Sequence, residues 1–192
     1  MTYVRITAIL LGATLVAAGP THRPADAVSA AHPVTRPLAA PVALGMLRQT
    51  GLAITVPGTR SYGAAPVGST IGGTLGPVSV SDFRGSLNPN AWVVTVTSTA
   101  YTTGAAGPSQ TIANSRVSYW SGSATSSTGG GTLVPGQPTA AQAVVLSAPR
   151  VAFSKTSGSG NNRVTWNPTL SIMVPTGVTG GTYTGRITHS VA

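Results

Sequence analysis

The sequence predicts an all-β protein, an antiparallel β-sandwich of the immunoglobulin-like or jelly-roll type. Short runs of alternating apolar residues and Thr or Ser recur along the chain, and Gly, Pro and Asn separate them. No amphipathic helical pattern occurs after Ala18. Alternation with a period of two indicates half-buried antiparallel strands, and many short strands with turn-rich connections are typical of sandwiches.

The first residues predict an export signal. Arg5 precedes an apolar run at residues 6–18, which is the pattern of a secretory signal peptide. The run is shorter than the roughly 20 residues that a membrane-spanning helix needs. Small residues allow cleavage after Ala18, Ala27 or Ala30, of which the last two are favoured. We therefore expect residues 1–30 to be the signal peptide and cleavage region, and the mature protein to be secreted with no membrane span.

The next segment differs in composition from the rest of the chain. Residues 31–50 contain Pro33, Pro37 and Pro41 among many Ala residues, a composition typical of an extended linker. The folded domain is expected at residues 51–192, where the alternating runs begin.

Six segments have the alternation expected of strands: residues 52–56, 78–82, 92–97, 143–147, 164–174 and 183–191. Asn167-Pro168 interrupts the fifth of them. Because Pro has no N–H to donate to a strand ladder, we expect a bulge or an edge position there.

The composition excludes several kinds of chemistry. The chain has no cysteine, and its two carboxylates are Asp26, in the predicted leader, and Asp82. A glycosidase needs two carboxyl groups, and a calcium site needs several oxygen ligands. We therefore expect no enzyme activity, no catalytic residues, no metal and no cofactor. Asp82 and Arg84 lie two apart on one strand face, where an ion pair or hydrogen bonds from turn N–H groups to Asp82 are expected.

The formal net charge of +9 comes from ten Arg and one Lys, spread along the chain, against two carboxylates. Such a distribution is consistent with attraction to a polyanion, which for an exported protein means wall polymers rather than nucleic acid. It is equally consistent with a solubilising role on a surface of Thr and Ser.

Three segments together resemble the WxL domain of Gram-positive cell-surface proteins, in its actinobacterial form. They are residues 78–85 (VSVSDFRG), 92–96 (WVVTV) and 180–191 (GGTYTGRITHSV). The resemblance covers the chain from about residue 52 to its end. It implies a β-sandwich that is held non-covalently at the cell wall, with the two W-x-L motifs linked to peptidoglycan binding. Val94 stands in place of the first Leu, and His189 and Val191 stand in place of the second Trp and Leu.

The candidate ligand-binding residues are Trp92, Val94, Trp120, His189 and Val191. Trp92 is either a core aromatic or a platform for stacking sugars, and Trp166 is expected in the core. Trp120 adjoins a Gly- and Ser-rich stretch and is the better candidate for exposure. His189 shares the parity of Ile187 and Val191 and is expected to be buried and hydrogen-bonded.

These observations predict a secreted, non-catalytic module of the cell envelope that binds peptidoglycan or another wall glycan. The alternative is a structural or interaction subunit of a surface assembly without affinity for glycan. The expected partner is accordingly a wall polymer or another surface protein, and the sequence leaves the oligomeric state open.

Overall fold

A computed structural model of the chain describes residues 2–14, 51–85 and 90–192. Within these ranges the chain forms β-strands and short 3₁₀ turns, which confirms the all-β class. The strands are β1 (Tyr3–Thr14), β2 (Leu52–Thr55), β3 (Thr59–Pro66), β4 (Thr70–Thr74), β5 (Val78–Asp82), β6 (Trp92–Ser98), β7 (Tyr101–Thr102), β8 (Thr111–Ile112), β9 (Val117–Trp120), β10 (Ala124–Thr128), β11 (Leu133–Pro135), β12 (Val144–Val145), β13 (Arg150–Lys155), β14 (Asn162–Trp166), β15 (Thr169–Met173) and β16 (Gly181–Val191). The 3₁₀ turns are Pro108–Gln110, Asn114–Arg116 and Ala140–Gln142.

The strands form two layers. The first layer, sheet A, has the order β11-β13-β6-β16-β1-β3, and β7 joins it through β16 and pairs with β8. The second layer consists of sheet B, in the order β10-β14-β5-β2, and sheet C, in the order β12-β9-β15-β4. Among the described strand pairs, only β1 with β16 is parallel.

Sheets B and C are two halves of one broken layer. The chain passes between them three times, through residues 75–77, 121–123 and 167–168, and the connected strands keep the same lateral order in both sheets. The predicted interruption at Asn167-Pro168 is confirmed: it falls between β14 and β15. The carbonyl of Pro168 accepts a hydrogen bond of 2.8 Å from the Leu75 N–H across this seam. Pro168 therefore lies where the ladder is already broken and no donor is missing.

Aromatic side chains fill the space between the layers. Phe153 of sheet A stacks on Trp166 of sheet B with ring centroids 4.8 Å apart, and it also contacts Trp92 at 6.4 Å. Tyr119 of sheet C meets His189 of sheet A at 5.8 Å. All five side chains are at most 1% exposed, so the sandwich has a continuous core, and the expected core position of Trp166 is confirmed.

β1 belongs to the folded unit of the intact chain. It lies between β16 and β3, and Val4, Ile6, Ala8 and Leu10 point into the core. Of the described residues, 2–14 thus share one compact unit with 51–85 and 90–192. A short apolar run is compatible with a leader or with a buried strand. In the structure it is a strand, and β1 therefore adds to the domain that was expected at residues 51–192. The removal of residues 1–30 stays a prediction, and the predicted linker at residues 31–50 lies outside the described residues.

Gly185 tests the packing between the strands of sheet A. A Cβ added at this position would lie 2.6 Å from the ring of Tyr101, which is fully buried and cannot move aside. We expect Gly185→Ala to lower the free energy of unfolding by about 1–3 kcal/mol, the usual cost of overpacking. Gly58→Ala is the control, because nothing lies within 4 Å of its added Cβ. Equal denaturation midpoints for both variants would contradict the described packing.

Candidate functional site

The structure brings the two segments that resemble W-x-L motifs side by side. β6 and β16 are antiparallel neighbours in which Val94 stands opposite Val191 and Val96 opposite His189. The backbone groups of Val93 and Ala192 exchange two hydrogen bonds, of 2.9 and 3.1 Å. Residues about a hundred positions apart in the sequence therefore form one patch of sheet A.

The side chains of this patch face the core. Trp92 is 1% exposed, and Val94, His189 and Val191 are 0% exposed. The indole Nε1 of Trp92 donates a hydrogen bond of 3.2 Å to Oδ1 of Asn162 in the opposite layer. As candidate ligand contacts these four residues are therefore corrected to core residues, because their strand parity directs them away from solvent.

His189 is held in an apolar environment. Its Nε2 lies 3.2 Å from the hydroxyl of Tyr119, and its Nδ1 has no hydrogen-bond partner. Burial lowers the pKa of His189 to about 4, so the imidazole is neutral at physiological pH. The expectation of a buried, hydrogen-bonded histidine is confirmed.

The neutral His189 makes stability depend on pH. Between the unfolded pKa of about 6.5 and the folded pKa of about 4, the unfolded chain binds a proton that the native chain does not. Stability is therefore present above this window and falls as the pH is lowered through it, by roughly 3 kcal/mol in total. Urea titrations at about pH 7 and about pH 4.5 measure the fall. In His189→Phe the fall should be much smaller, and an unchanged fall would assign it to other groups.

Asp82 and Arg84 form a partly buried ion pair at the end of β5. Nε and Nη2 of Arg84 donate to the two carboxylate oxygens at 2.9 and 2.8 Å, and the Arg84 backbone N–H donates to Oδ1 at 3.1 Å. Burial by itself would raise the pKa of Asp82, but the hydrogen bonds and the charge of Arg84 outweigh it and hold the pKa below its usual value. Both expected interactions of Asp82 are thus present, and its carboxylate is not free to act as an acid, a base or a metal ligand.

A buried lysine lies at the same end of the sandwich. Lys155 is 1% exposed and stands opposite Trp92 in the ladder. Its Nζ donates to the backbone oxygens of Asn90 and Gly158, at 2.8 and 3.5 Å. Sequence analysis did not single out Lys155, although its alternation with Phe153 indicates an inward position.

Asn162 joins the Asp82–Arg84 pair to Trp92 in one polar cluster. Its Nδ2 lies 3.5 Å from Oδ2 of Asp82, and its Oδ1 accepts the indole N–H of Trp92. These bonds tie β5, β6 and β14 together across both layers, and Lys155 of β13 is held beside them by the carbonyls of Asn90 and Gly158. The donors of the cluster are directed at protein acceptors, which indicates a structural role.

Arg84 is the residue of this cluster whose substitution tests the ion pair, because its side chain reaches the surface. We expect Arg84→Ala to cost about 3 kcal/mol of stability, the low end of the range for breaking a buried pair, because Arg84 is partly exposed and Asp82 is not. Arg84→Lys should lose less, since lysine keeps the charge but not the two-pronged geometry. Arg186→Ala, which removes an exposed side chain from the outer face of β16, is the control and should change stability by less than about 0.5 kcal/mol. Equal losses in Arg84→Ala and the control would exclude the ion pair as a structural element.

Trp120 is the one sequence-predicted site residue that is not fully buried. It is half-buried on the outer face of sheet C, because its neighbour Tyr119 points into the core. Thr169 stands opposite it on β15, and Ser118 and Ser171 form the next row of the same face. We call these four residues the Trp120 face. It combines an aromatic surface with hydroxyl groups, the pairing that suits the apolar and polar faces of a sugar.

The outer face of sheet A has a different character. Ile9, Leu11, Val93 and Val151 are each between 36% and 47% exposed on it. An open depression of about 450 Å³ is lined by residues including Ile9, Thr184 and Arg186. The residues around it include no carboxylate, so it offers no acid–base pair.

Charged and metal-binding groups are sparse on the described surface. Six arginines are exposed there: Arg5, Arg60, Arg116, Arg150, Arg163 and Arg186. No group of three His or carboxylate side chains in residues 2–14, 51–85 and 90–192 is placed to hold a metal ion. The same ranges contain no helix with the length and apolar character that crossing a bilayer requires.

Comparison with models of known protein families and with curated proteins finds no match to this chain.

Proposed function

We propose that this chain is an exported, non-catalytic module of the cell envelope that binds a wall glycan non-covalently. The observation that carries the proposal is the Trp120 face, where a half-buried Trp is bordered by hydroxyl side chains on the outer face of the second layer. Aromatic rings with a polar border are suited to sugars, which present an apolar CH face and a rim of hydroxyl groups.

The charge distribution supports the same class of partner. The exposed charged side chains of the described residues are all cationic, because Asp82 is buried against Arg84. Arg116 lies on the same outer face as Trp120, one row beyond Ser118, where its Nη1 lies 4.0 Å from Sδ of Met173. A polymer that carries both sugars and anionic groups would therefore meet stacking and charge attraction on one surface.

The resemblance to the WxL domain supports an envelope location. The residues that depart from the family's motifs, Val94, His189 and Val191, are buried. The departures therefore change how the core is filled and remove no exposed contact. In this proposal the motifs maintain the sandwich, and an exposed face elsewhere makes the contact with glycan.

A structural or interaction subunit of a surface assembly is the second candidate. The exposed apolar side chains Ile9, Leu11, Val93 and Val151, which share the outer face of sheet A, favour it, since exposed apolar side chains can contact another protein. In this case the protein would show no retention on purified wall material.

Sedimentation with purified peptidoglycan tests the Trp120 face. We expect Trp120→Ala to weaken retention about fivefold or more, a loss above about 1 kcal/mol that is typical of an anchoring contact. Trp120→Tyr should retain most of the binding because it keeps an aromatic face. Melting curves of each variant show whether the fold is intact, as we expect for a side chain on an outer face.

Salt concentration separates stacking from charge attraction. Retention that depends on the exposed arginines should disappear at high salt, whereas stacking on Trp120 should persist. Arg116→Ala is the matched control on the same face and should affect only the salt-sensitive part. No retention of the unmodified protein at low salt would rule out glycan binding and leave the assembly subunit.

A further inference from the structure

The strand β1 is bonded along both of its edges. It pairs with β16 over the positions from Val4 to Thr14, and with β3 from Tyr3 to Ile9. Its inward side chains Val4, Ile6, Ala8 and Leu10 are 0–3% exposed. We call the space between β3 and β16 the β1 slot.

The residues that fill the β1 slot are the same residues that predict an export signal. Arg5 and the apolar run that begins at Ile6 match a signal peptide, and Ile6–Leu11 form the centre of β1. Removal of residues 1–30 would leave the edges of β3 and β16 unpaired and open the core between them. An unpaired edge of this kind is a template for another strand.

We propose that export and leader removal convert the β1 slot into a docking site for a strand supplied by another polypeptide of the surface assembly. This inference rests on the export that the proposed function includes. Addition of a strand to an exposed sheet edge is an established mode of peptide recognition, in which backbone hydrogen bonds give affinity and alternate side chains give specificity.

The remaining N-terminal segment of the chain is a poor substitute for β1. A strand bonded on both edges needs its N–H groups, so it excludes proline. Residues 31–50 carry Pro33, Pro37 and Pro41, and the Pro-free stretch before Gly51 is 42–50. That stretch has nine residues, whereas β1 pairs with β16 at eleven positions from Val4 to Thr14. The same stretch must also connect to β2 at Leu52. A strand from a separate chain is restricted neither by this length nor by a connection to β2.

β1 defines the chemistry of the strand that the slot takes. The strand runs parallel to β16, contains no proline, and presents branched aliphatic side chains where Val4, Ile6 and Leu10 lie. A small side chain belongs at the place of Ala8, which stands opposite Gly185. Outward positions such as Ile9 are more permissive, because that side chain is 36% exposed.

A strand-exchange experiment on the full chain tests this inference. A cleavage site for a specific protease is inserted between Ala30 and Ala31, and the folded protein is cut. A fluorescent synthetic peptide with the sequence of residues 2–14 is then added, and its uptake is measured by anisotropy and size-exclusion chromatography. We expect the fragment 1–30 to stay bound after the cut and to be displaced by the labelled peptide.

Two variant peptides make the test specific. Ile6→Asp should be taken up roughly tenfold less or worse, because it places an unpaired carboxylate in the core. Ile9→Asp carries the same charge on the exposed side and should be taken up like the unmodified peptide. Equal uptake of the two variants, no exchange at all, or a cut protein that sheds the fragment and melts as before would overturn the proposal.

N-terminal sequencing of the exported protein separates this inference from the proposed glycan binding. If residues 3–14 are retained after export, the slot is filled by its own strand and the docking proposal fails, while the peptidoglycan test is unaffected. If peptidoglycan retention fails but the leader is removed and peptides exchange as expected, glycan binding is rejected and the docking site stands.

Discussion

The pairing of β6 with β16 is the interaction on which the rest of this structure depends. These strands lie in the middle of sheet A, and β16 bonds to β1 along its other edge, whereas β7 continues the ladder on the same side as β6. Their inward residues, among them Trp92, Val94, Ile187 and His189, meet the aromatic side chains of the second layer. Because side chains alternate between faces, a shift of the register by one residue would turn this whole set toward solvent. The hydrophobic core therefore determines the register.

Burial favours the apolar core, but it is unfavourable for the charged groups of the polar cluster around Asp82. A buried carboxylate and a buried ammonium are each costly unless hydrogen bonds replace their water. Asp82 obtains them from Arg84, and Lys155 obtains them from the carbonyls of Asn90 and Gly158. Because the carboxylate and the ammonium are occupied in this way, the cluster stabilises one end of the sandwich and has little capacity for chemistry.

The two outer faces offer different partners. The second layer presents the Trp120 face, whereas sheet A presents Ile9, Val93 and other apolar side chains between rows of Thr and Ser. β1 is related to export as well, because its apolar run resembles a leader and also forms the strand between β16 and β3 in sheet A. A binding module and an assembly subunit are therefore compatible roles for one fold.

The sequence determined the features that depend on local chemistry. The all-β class, the strands at 78–82 and 92–97, the break at Asn167-Pro168, the pairing of Asp82 with Arg84 and the burial of His189 follow from alternation, from the missing N–H of proline and from short spacing. Tertiary structure decided which distant residues become neighbours: Val94 with Val191, Lys155 with Asn90, and β1 with both β3 and β16. It also decided that Trp92 is inside and Trp120 outside. Alternation specifies that a strand has two faces, but only the packing of one layer on the other specifies which face is buried.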